Sequence, residues 1–163
     1  MADDGSTKEA ARHEHFMRRC LSLAREALVA GEVPVGAIVV QGDRVVGEGR
    51  ESTAHLRDAS AHAEVVAIRA ACRTLDARTL PGVTIYSTVE PCVLCAYVAR
   101  AVGVNHVVFG IPAGQLGGCT SRYALLTDGA VRGWPASPTI LSGVLTAECE
   151  RLMDEHATRR RDR

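Results

Sequence analysis

The chain has 163 residues, 47% of them hydrophobic and 4% aromatic, and its 19 basic and 19 acidic residues give a formal charge of zero. This length supports one sizeable core, and the balanced charge argues against tight binding to nucleic acid through a broad basic surface. Six cysteines are too few for a disulfide scaffold, no apolar run is long enough to span a bilayer, and the polar residues 1–6 are unlike a signal peptide. We therefore expect one cytoplasmic domain over residues 1–163, with frayed tails at 1–7 and 159–163 and no membrane partner.

The first part of the sequence predicts a helix followed by a hairpin. Apolar residues recur at helical spacing over residues 8–30, and Gly31 is placed to end that helix. The run 33–40 is apolar almost throughout, which is typical of a strand buried on both faces. Residues 41–43 then form a turn, and residues 44–50 return as the second strand of the hairpin.

The rest of the sequence alternates helices and strands. A helical apolar pattern begins at His62 and extends to about Leu75, and residues 83–89 predict a strand. Pro91 suits the first turn of a helix that ends near Ala101. Because this helix is a short crossover, we expect the strands at 83–89 and 105–110 to be parallel neighbours. The remaining elements are a glycine-rich loop at 112–118, a short helix near 122–126, a strand at 139–141 and a helix at 146–159. Together they predict a three-layer α/β domain.

Two short motifs carry the chemistry, His62-Ala63-Glu64 and Pro91-Cys92-Val93-Leu94-Cys95. One histidine and two cysteines make three zinc ligands, one fewer than a closed structural site uses, which leaves a position for water. Two cysteines three residues apart share one face of a helical first turn, and the helix N-terminus favours their thiolate form. We therefore predict one Zn²⁺ per chain, held by His62, Cys92 and Cys95, with Glu64 as the group that moves protons.

Other interpretations of these residues exist. A single Cys-x-x-Cys pair is also found as a redox pair or as half of a structural zinc site, but the upstream histidine and carboxylate favour a catalytic metal. Cys20, Cys72 and Cys149 fall in helical patterns and are expected to be small buried hydrophobes. Cys119, in the glycine-rich region, is left without a predicted role.

The motifs resemble those of the cytidine deaminase-like superfamily, the zinc-dependent deaminases that share the His-x-Glu and Pro-Cys-x-x-Cys signature. The segments 32–37, 61–64, 90–96, 107–110 and 143–149 are similar to bacterial tRNA adenosine deaminases and to their guanine and cytosine deaminase relatives. This resemblance implies a mixed five-stranded sheet between helices, an α/β/α domain, a homodimer, and zinc held between two helix N-termini. It also implies substrate contacts from the matching motif positions, Val35 and Ala63.

Three features of the sequence favour a small substrate over tRNA. The loop from Ile111 lacks the Arg-Asp pair usual in the tRNA enzymes, and residues 152–156 of the last helix lack an aromatic side chain that could stack on RNA. Relatives place an asparagine that reaches the substrate at the end of the hairpin, where this chain has Glu51. A carboxylate only accepts hydrogen bonds, so we expect Glu51 to contact an N–H-rich ring edge or a sugar hydroxyl.

The predicted reaction is hydrolytic deamination. Zinc lowers the pKa of water, Glu64 takes a proton from it and delivers one to the ring nitrogen beside the attacked carbon, and ammonia leaves. Our first choice of substrate is a free amino-substituted nucleobase, nucleoside or related small heterocycle. The alternative is conversion of wobble adenosine to inosine in tRNA. A third possibility, a catalytically inactive zinc-stabilised binding module, is disfavoured by the intact Glu64.

Overall fold

The computed structural model describes residues 4–130 and 132–161. Within these residues, five strands and five α-helices alternate along the chain in the predicted general order. The elements are α1 (Asp4–Val29), β1 (Gly36–Gln41), β2 (Arg44–Arg50), α2 (Thr53–Leu56), α3 (Ala63–Thr74), β3 (Val83–Val89), α4 (Val93–Val102), β4 (His106–Ile111), a 3₁₀ turn (Gly114–Leu116), β5 (Thr139–Ser142) and α5 (Thr146–Arg161).

The strands form one mixed sheet in the order β2-β1-β3-β4-β5. β1 pairs antiparallel with both β2 and β3, whereas β3, β4 and β5 run parallel. The predicted parallel pairing across the short α4 crossover is therefore confirmed. As in other sheets of this kind, the carboxyl ends of the parallel strands present their following loops at one edge.

Helices cover both faces of this sheet. α3 and α4 pack on one face and α1 and α5 on the other. Each side has its own apolar cluster: Ile85 and Phe109 lie in the cluster beneath α3 and α4, and Ile38 and Tyr86 lie in the cluster beneath α1. β1 is buried along five of its six residues, as its continuous apolar run predicts. The three-layer α/β/α fold with a five-stranded mixed sheet is confirmed.

Two glycines in β2 bring α3 close to the sheet. A Cβ atom at Gly49 would overlap the carbonyl oxygen of Ala63, and one at Gly47 would overlap that of Ala67. Only glycine permits this approach, because any side chain would push the helix away. The start of α3, where His62 and Glu64 lie, is thereby held against the end of the hairpin.

The short helix predicted near residues 122–126 is wrong. This region consists of turns, and its carbonyl oxygens accept hydrogen bonds from a distant side chain. Arg100, on α4 and 2% exposed, donates to the carbonyl oxygens of Leu125 and Asp128 at 2.9 Å and of Pro135 at 3.1 Å. A guanidinium that satisfies these carbonyls removes the need for helical hydrogen bonds.

Both predicted tails are helical over the residues that the structure describes. Residues 4–7 belong to α1 and residues 159–161 to α5, while residues 1–3 and 162–163 of those predicted tails lie outside the described residues. Over residues 4–130 and 132–161, no helix combines the length and the apolar character needed to cross a bilayer.

Candidate metal centre

His62, Cys92 and Cys95 converge at the carboxyl edge of the sheet. His62 Nδ1 lies 3.4 Å from Cys92 Sγ and 3.5 Å from Cys95 Sγ, and the two sulfurs are 3.7 Å apart. His62 and Cys92 are partly exposed, whereas Cys95 is buried. Among the described residues, these three form the one group of His, Cys, Asp and Glu side chains whose ligand atoms are close enough to share a metal ion.

The separations between the three ligand atoms match tetrahedral zinc. With Zn–S bonds of about 2.3 Å and Zn–N bonds of about 2.05 Å, tetrahedral angles place two sulfurs about 3.8 Å apart and a sulfur and a nitrogen about 3.6 Å apart. The observed separations agree with these values to within about 0.2 Å, the usual tolerance for such sites. The donor set thus fits zinc, and its three ligands leave one tetrahedral position for water.

Two helix starts deliver the ligands. His62 immediately precedes α3 and has extended backbone angles (φ −66°, ψ 148°), and Cys92 immediately precedes α4 with similar angles (φ −69°, ψ 177°). Cys95 follows in the first turn of α4. Both helices therefore point their positive ends at the site, which favours thiolate ligands. The extended backbone at His62 also lets its side chain and that of Glu64 reach one centre, although a regular helix would separate them.

Glu64 lies beside the ligands and is 3% exposed. Its Oε2 is 3.3 Å from Cys95 Sγ, and its Oε1 accepts a hydrogen bond from the Ser87 hydroxyl at 3.1 Å. Burial raises the pKa of Glu64 to about 7. A buried carboxylate with spare hydrogen-bonding capacity, next to the open side of a metal site, is suited to proton transfer.

The three residues predicted to contact the substrate lie together at the start of α3. The Glu51 backbone N–H donates to the Val35 carbonyl oxygen at 2.9 Å, and Ala63 begins α3. The Glu51 side chain is buried, and burial raises its pKa, an effect partly offset by His62 and by hydrogen bonds from Thr53 and the Ala63 backbone. Glu51 and Ala63 lie next to His62, Val35 contacts the Glu51 backbone, and the contacts of all three with a substrate stay a prediction.

Glu90, just before Pro91, is a residue that the sequence interpretation missed. It is 1% exposed, and its carboxylate accepts hydrogen bonds from three backbone N–H groups and two side chains of the loop after β4. The donors are the backbone of Ala113 (3.0 Å), Cys119 (2.8 Å) and Thr120 (2.8 Å), the Thr120 hydroxyl (2.6 Å) and the Cys119 thiol (3.2 Å). Burial alone would raise the pKa of Glu90, but these bonds outweigh it and lower the pKa. The sequence feature that could have identified Glu90 is a charged residue at the end of a buried strand.

Glu32 likewise accepts backbone hydrogen bonds near the site, and the sequence interpretation missed this residue too. It is 5% exposed and accepts hydrogen bonds from the backbone N–H groups of Ala54 (3.2 Å) and His55 (2.7 Å). These groups belong to the first turn of α2, the short helix that the sequence did not predict. Glu32 therefore fixes the segment that follows Glu51.

Comparisons with known proteins agree on the family. A "tRNA-specific adenosine deaminase" of Aquifex aeolicus (strain VF5) is 36% identical over 115 residues, which are 71% of this chain and 76% of that protein. One from Haemophilus influenzae (strain ATCC 51907 / DSM 11121 / KW20 / Rd) is 33% identical over 150 residues, 91% of this chain and 85% of that protein. Some relatives are much longer: the chain spans 12% of the chloroplastic "tRNA(adenine(34)) deaminase" of Arabidopsis thaliana.

A solved structure agrees with these relatives. It comes from a study of A-to-I editing by tRNA:A34 deaminases at the wobble position of transfer RNA, and it superposes with a TM-score of 0.79 at 32% identity. The match covers 85% of this chain and 98% of that one. These findings contradict our first choice of substrate, a free nucleobase, nucleoside or small heterocycle, and support the alternative instead.

The family itself follows from the match and the site together. The family described as "Cytidine and deoxycytidylate deaminase zinc-binding region" matches residues 10–111, a span that includes all three ligand residues and Glu64. The predicted zinc cofactor is confirmed by this match and by the His/Cys/Cys group. The chain belongs to the zinc-binding cytidine and deoxycytidylate deaminase family and is a hydrolase of carbon–nitrogen bonds in cyclic amidines.

Proposed function

We propose that this protein converts adenosine to inosine in tRNA by zinc-dependent hydrolysis. The observation that carries the proposal is the convergence of His62, Cys92 and Cys95 beside the buried Glu64, in a chain that is 36% identical to a tRNA-specific adenosine deaminase. The solved structure from the study of wobble-position editing, which superposes over most of both chains, supports the same substrate class.

In this proposal His62, Cys92 and Cys95 hold the zinc ion. Zinc in a three-ligand site supplies Lewis acidity that makes water nucleophilic near neutral pH. The sulfur ligands lie at the start of α4, where the helix dipole stabilises negative charge.

Glu64 moves the protons. It accepts one from water as the oxygen attacks the adenine carbon that bears the amine, and it donates one to the adjacent ring nitrogen. A second transfer protonates the amine, the carbon–nitrogen bond breaks and ammonia leaves, so adenosine and water give inosine and ammonia. Ser87 holds one carboxylate oxygen of Glu64 at 3.1 Å, which leaves the other oxygen, Oε2, for this transfer.

The test compares RNA with free substrates. The zinc-loaded protein is incubated with an anticodon stem-loop bearing adenosine at the wobble position, and separately with adenosine, adenine, guanine and cytosine. We expect inosine in the stem-loop, measured by nuclease digestion and mass spectrometry, and little ammonia from the free compounds. A stem-loop with guanosine at that position is the matched control. Turnover of a free compound without turnover of the stem-loop would overturn the proposal.

We also propose that the protein is a homodimer, as its family resemblance implies. Four apolar side chains on α4 and the loop after β4 are exposed, which is unusual for a surface that faces only water. They are Leu94 (40%), Tyr97 (53%), Leu116 (59%) and Tyr123 (42%). Light scattering after size-exclusion chromatography should give twice the chain mass, and Tyr97→Glu should shift it toward one chain. A monomeric parent protein would contradict this assignment.

A further inference from the structure

We propose that Glu90 is a positioning residue that fixes the loop of residues 113–120 as one wall of the mouth of the active site. The inference rests on the proposed function for the identity of the substrate. The anchoring of the loop by Glu90 is independent of the proposed function and can be tested without any substrate.

Glu90 is saturated with hydrogen-bond donors from that loop. Both carboxylate oxygens are engaged: Oε2 accepts from the Ala113 backbone and the Thr120 hydroxyl, and Oε1 accepts from the backbone N–H groups of Cys119 and Thr120 and from the Cys119 thiol. Hydrogen bonds to an ionised acceptor are about twice as strong as neutral ones. One buried charge therefore gathers both ends of the loop onto the residue that precedes Pro91.

The loop of residues 113–120 packs closely against the start of α4. Gly117 forms an isolated β-bridge with Cys92, and the Gly118 backbone N–H donates to the Pro91 carbonyl oxygen at 2.8 Å. A Cβ atom at Gly117 would overlap the Glu90 carboxylate. The loop can approach this closely only because glycine stands there. The loop backbone is thereby tied to a zinc ligand.

The loop lies at the solvent-exposed side of the site. His62 and Cys92 are partly exposed whereas Cys95 is buried, so the site opens along His62 and along Cys92, and Cys92 meets Gly117. Gln115 in the same loop is exposed. A substrate large enough to extend beyond the pocket meets this loop as its base enters. Glu90 itself is too buried to touch it, so its effect acts through the loop.

Cys119 provides a readout that needs no substrate. Burial and the neighbouring Glu90 carboxylate raise the pKa of Cys119 to about 12, and alkylation requires the thiolate. We expect Glu90→Gln to increase the rate of Cys119 alkylation in the zinc-loaded protein by about tenfold or more, measured peptide by peptide with mass spectrometry. Thr120→Val, which removes only the hydroxyl bond, should give an intermediate rate and serves if Glu90→Gln folds poorly.

Glu32→Gln is the matched control. Glu32 is also a buried glutamate that accepts backbone hydrogen bonds near the site, but its donors, Ala54 and His55, lie in α2. General loosening of the protein would expose Cys119 in both variants. Because Glu90→Gln also removes the carboxylate that raises the pKa of Cys119, Thr120→Val, which keeps that charge, decides the result. Faster labelling in Thr120→Val but not in Glu32→Gln supports the proposal, and labelling of Thr120→Val at the rate of the parent protein or of Glu32→Gln overturns it.

Kinetics then separates positioning from chemistry. With the anticodon stem-loop as substrate, we expect Thr120→Val and Glu90→Gln to raise KM by about tenfold while kcat changes by less than about threefold and zinc content stays at one per chain. A fall in kcat with unchanged KM would overturn the positioning role. If the stem-loop is not deaminated at all, the proposed function fails, and the alkylation result still decides whether Glu90 holds the loop.

Discussion

Two buried glutamates flank the zinc ligands, and their surroundings differ in kind. Glu64 and Glu90 are 3% and 1% exposed. Glu64 accepts one hydrogen bond, from the Ser87 hydroxyl, and burial raises its pKa. Glu90 accepts five bonds, three of them from backbone N–H groups, and its pKa is lowered. Two carboxylates that are equally shielded from solvent therefore have opposite shifts in pKa, because Glu64 lies deeper among protein atoms and Glu90 has more donors.

The difference between Glu64 and Glu90 shows that solvent exposure alone does not predict the direction of a pKa shift. A carboxylate that lacks donors exchanges its proton near neutral pH and can act as an acid and a base. A carboxylate saturated with donors stays ionised and holds structure in place. In this molecule the first kind lies between the metal ligands and the second lies behind a ligand. The depth of each carboxylate in the protein together with the number and nature of its donors, and not its solvent exposure, distinguishes the proposed proton-transfer group from the structural one.

Removing the metal should have the largest effect, because it eliminates the centre that both glutamates flank. We expect Cys92→Ala to lose bound zinc, to lose detectable turnover and to unfold several kcal/mol more easily. Elemental analysis, stem-loop deamination and urea unfolding measure the three effects. Cys72→Ala, at a cysteine on α3 outside the site, is the control and should keep its zinc. Stoichiometric zinc in Cys92→Ala would contradict the ligand assignment.

Glu64→Gln tests the chemical side of the comparison. It should keep zinc and fold, yet lose on the order of 10²-fold to 10⁴-fold in kcat, the usual scale for a general acid–base group. Single-turnover deamination of the stem-loop measures the loss, and elemental analysis checks the metal. Turnover close to that of the parent protein would refute the role of Glu64.

Glu90→Gln tests the architectural side. An amide accepts with one oxygen only, so donors from Thr120 or Ala113 lose their partner. We expect the free energy of unfolding of the zinc-loaded protein to fall by about 2–3 kcal/mol, whereas Glu64→Gln should leave it unchanged or higher, since it removes a poorly satisfied buried acid. Urea titration measures both variants. Equal destabilisation by Glu90→Gln and Glu64→Gln would contradict the structural role assigned to Glu90.

Glu51→Gln should have the smallest effect. It extends the comparison of Glu64 and Glu90 to a third buried carboxylate. If Glu51 contacts the substrate, kcat/KM should fall by about tenfold, the worth of one hydrogen bond to a charged group, with little change in stability. Glu48→Gln, within β2 just before Glu51 and partly exposed beside Arg19, is the matched control. Equal small effects of the two variants would show that Glu51 does not read the substrate.

The convergence of His62, Cys92 and Cys95 could be predicted from the sequence because it depends on local spacing. The Cys-x-x-Cys pair lies within one helical turn, and the histidine directly precedes a helix, so short motifs contain most of the geometry. The strand bounds Val83–Val89 also match the β-branched run. Local signals of this kind survive in a single sequence.

Long-range contacts explain what the sequence could not predict. Glu32 and Glu90 act on backbone groups more than twenty residues away, and Arg100 replaces helical hydrogen bonds in the segment that was predicted to be helical. The spacing of apolar residues along the sequence contains no information about such distant hydrogen-bond partners. The same limit made the choice of substrate wrong, because missing Arg-Asp and aromatic side chains at single positions do not determine the substrate class. The comparisons, which use most of the chain, support the tRNA alternative instead.

The two helix starts at the metal have a consequence for the apoprotein. His62 and Cys92 are the N-cap residues of α3 and α4, and neither side chain makes a capping hydrogen bond to the described residues. N-cap side chains ordinarily satisfy amides of the first turn and stabilise a helix by about 1 kcal/mol. In the zinc-bound protein that we propose, those side chains bind the metal, so the ion stabilises both helix starts in place of caps. Chelation should therefore accelerate amide hydrogen exchange first in the opening turns of α3 and α4, well before the sheet opens.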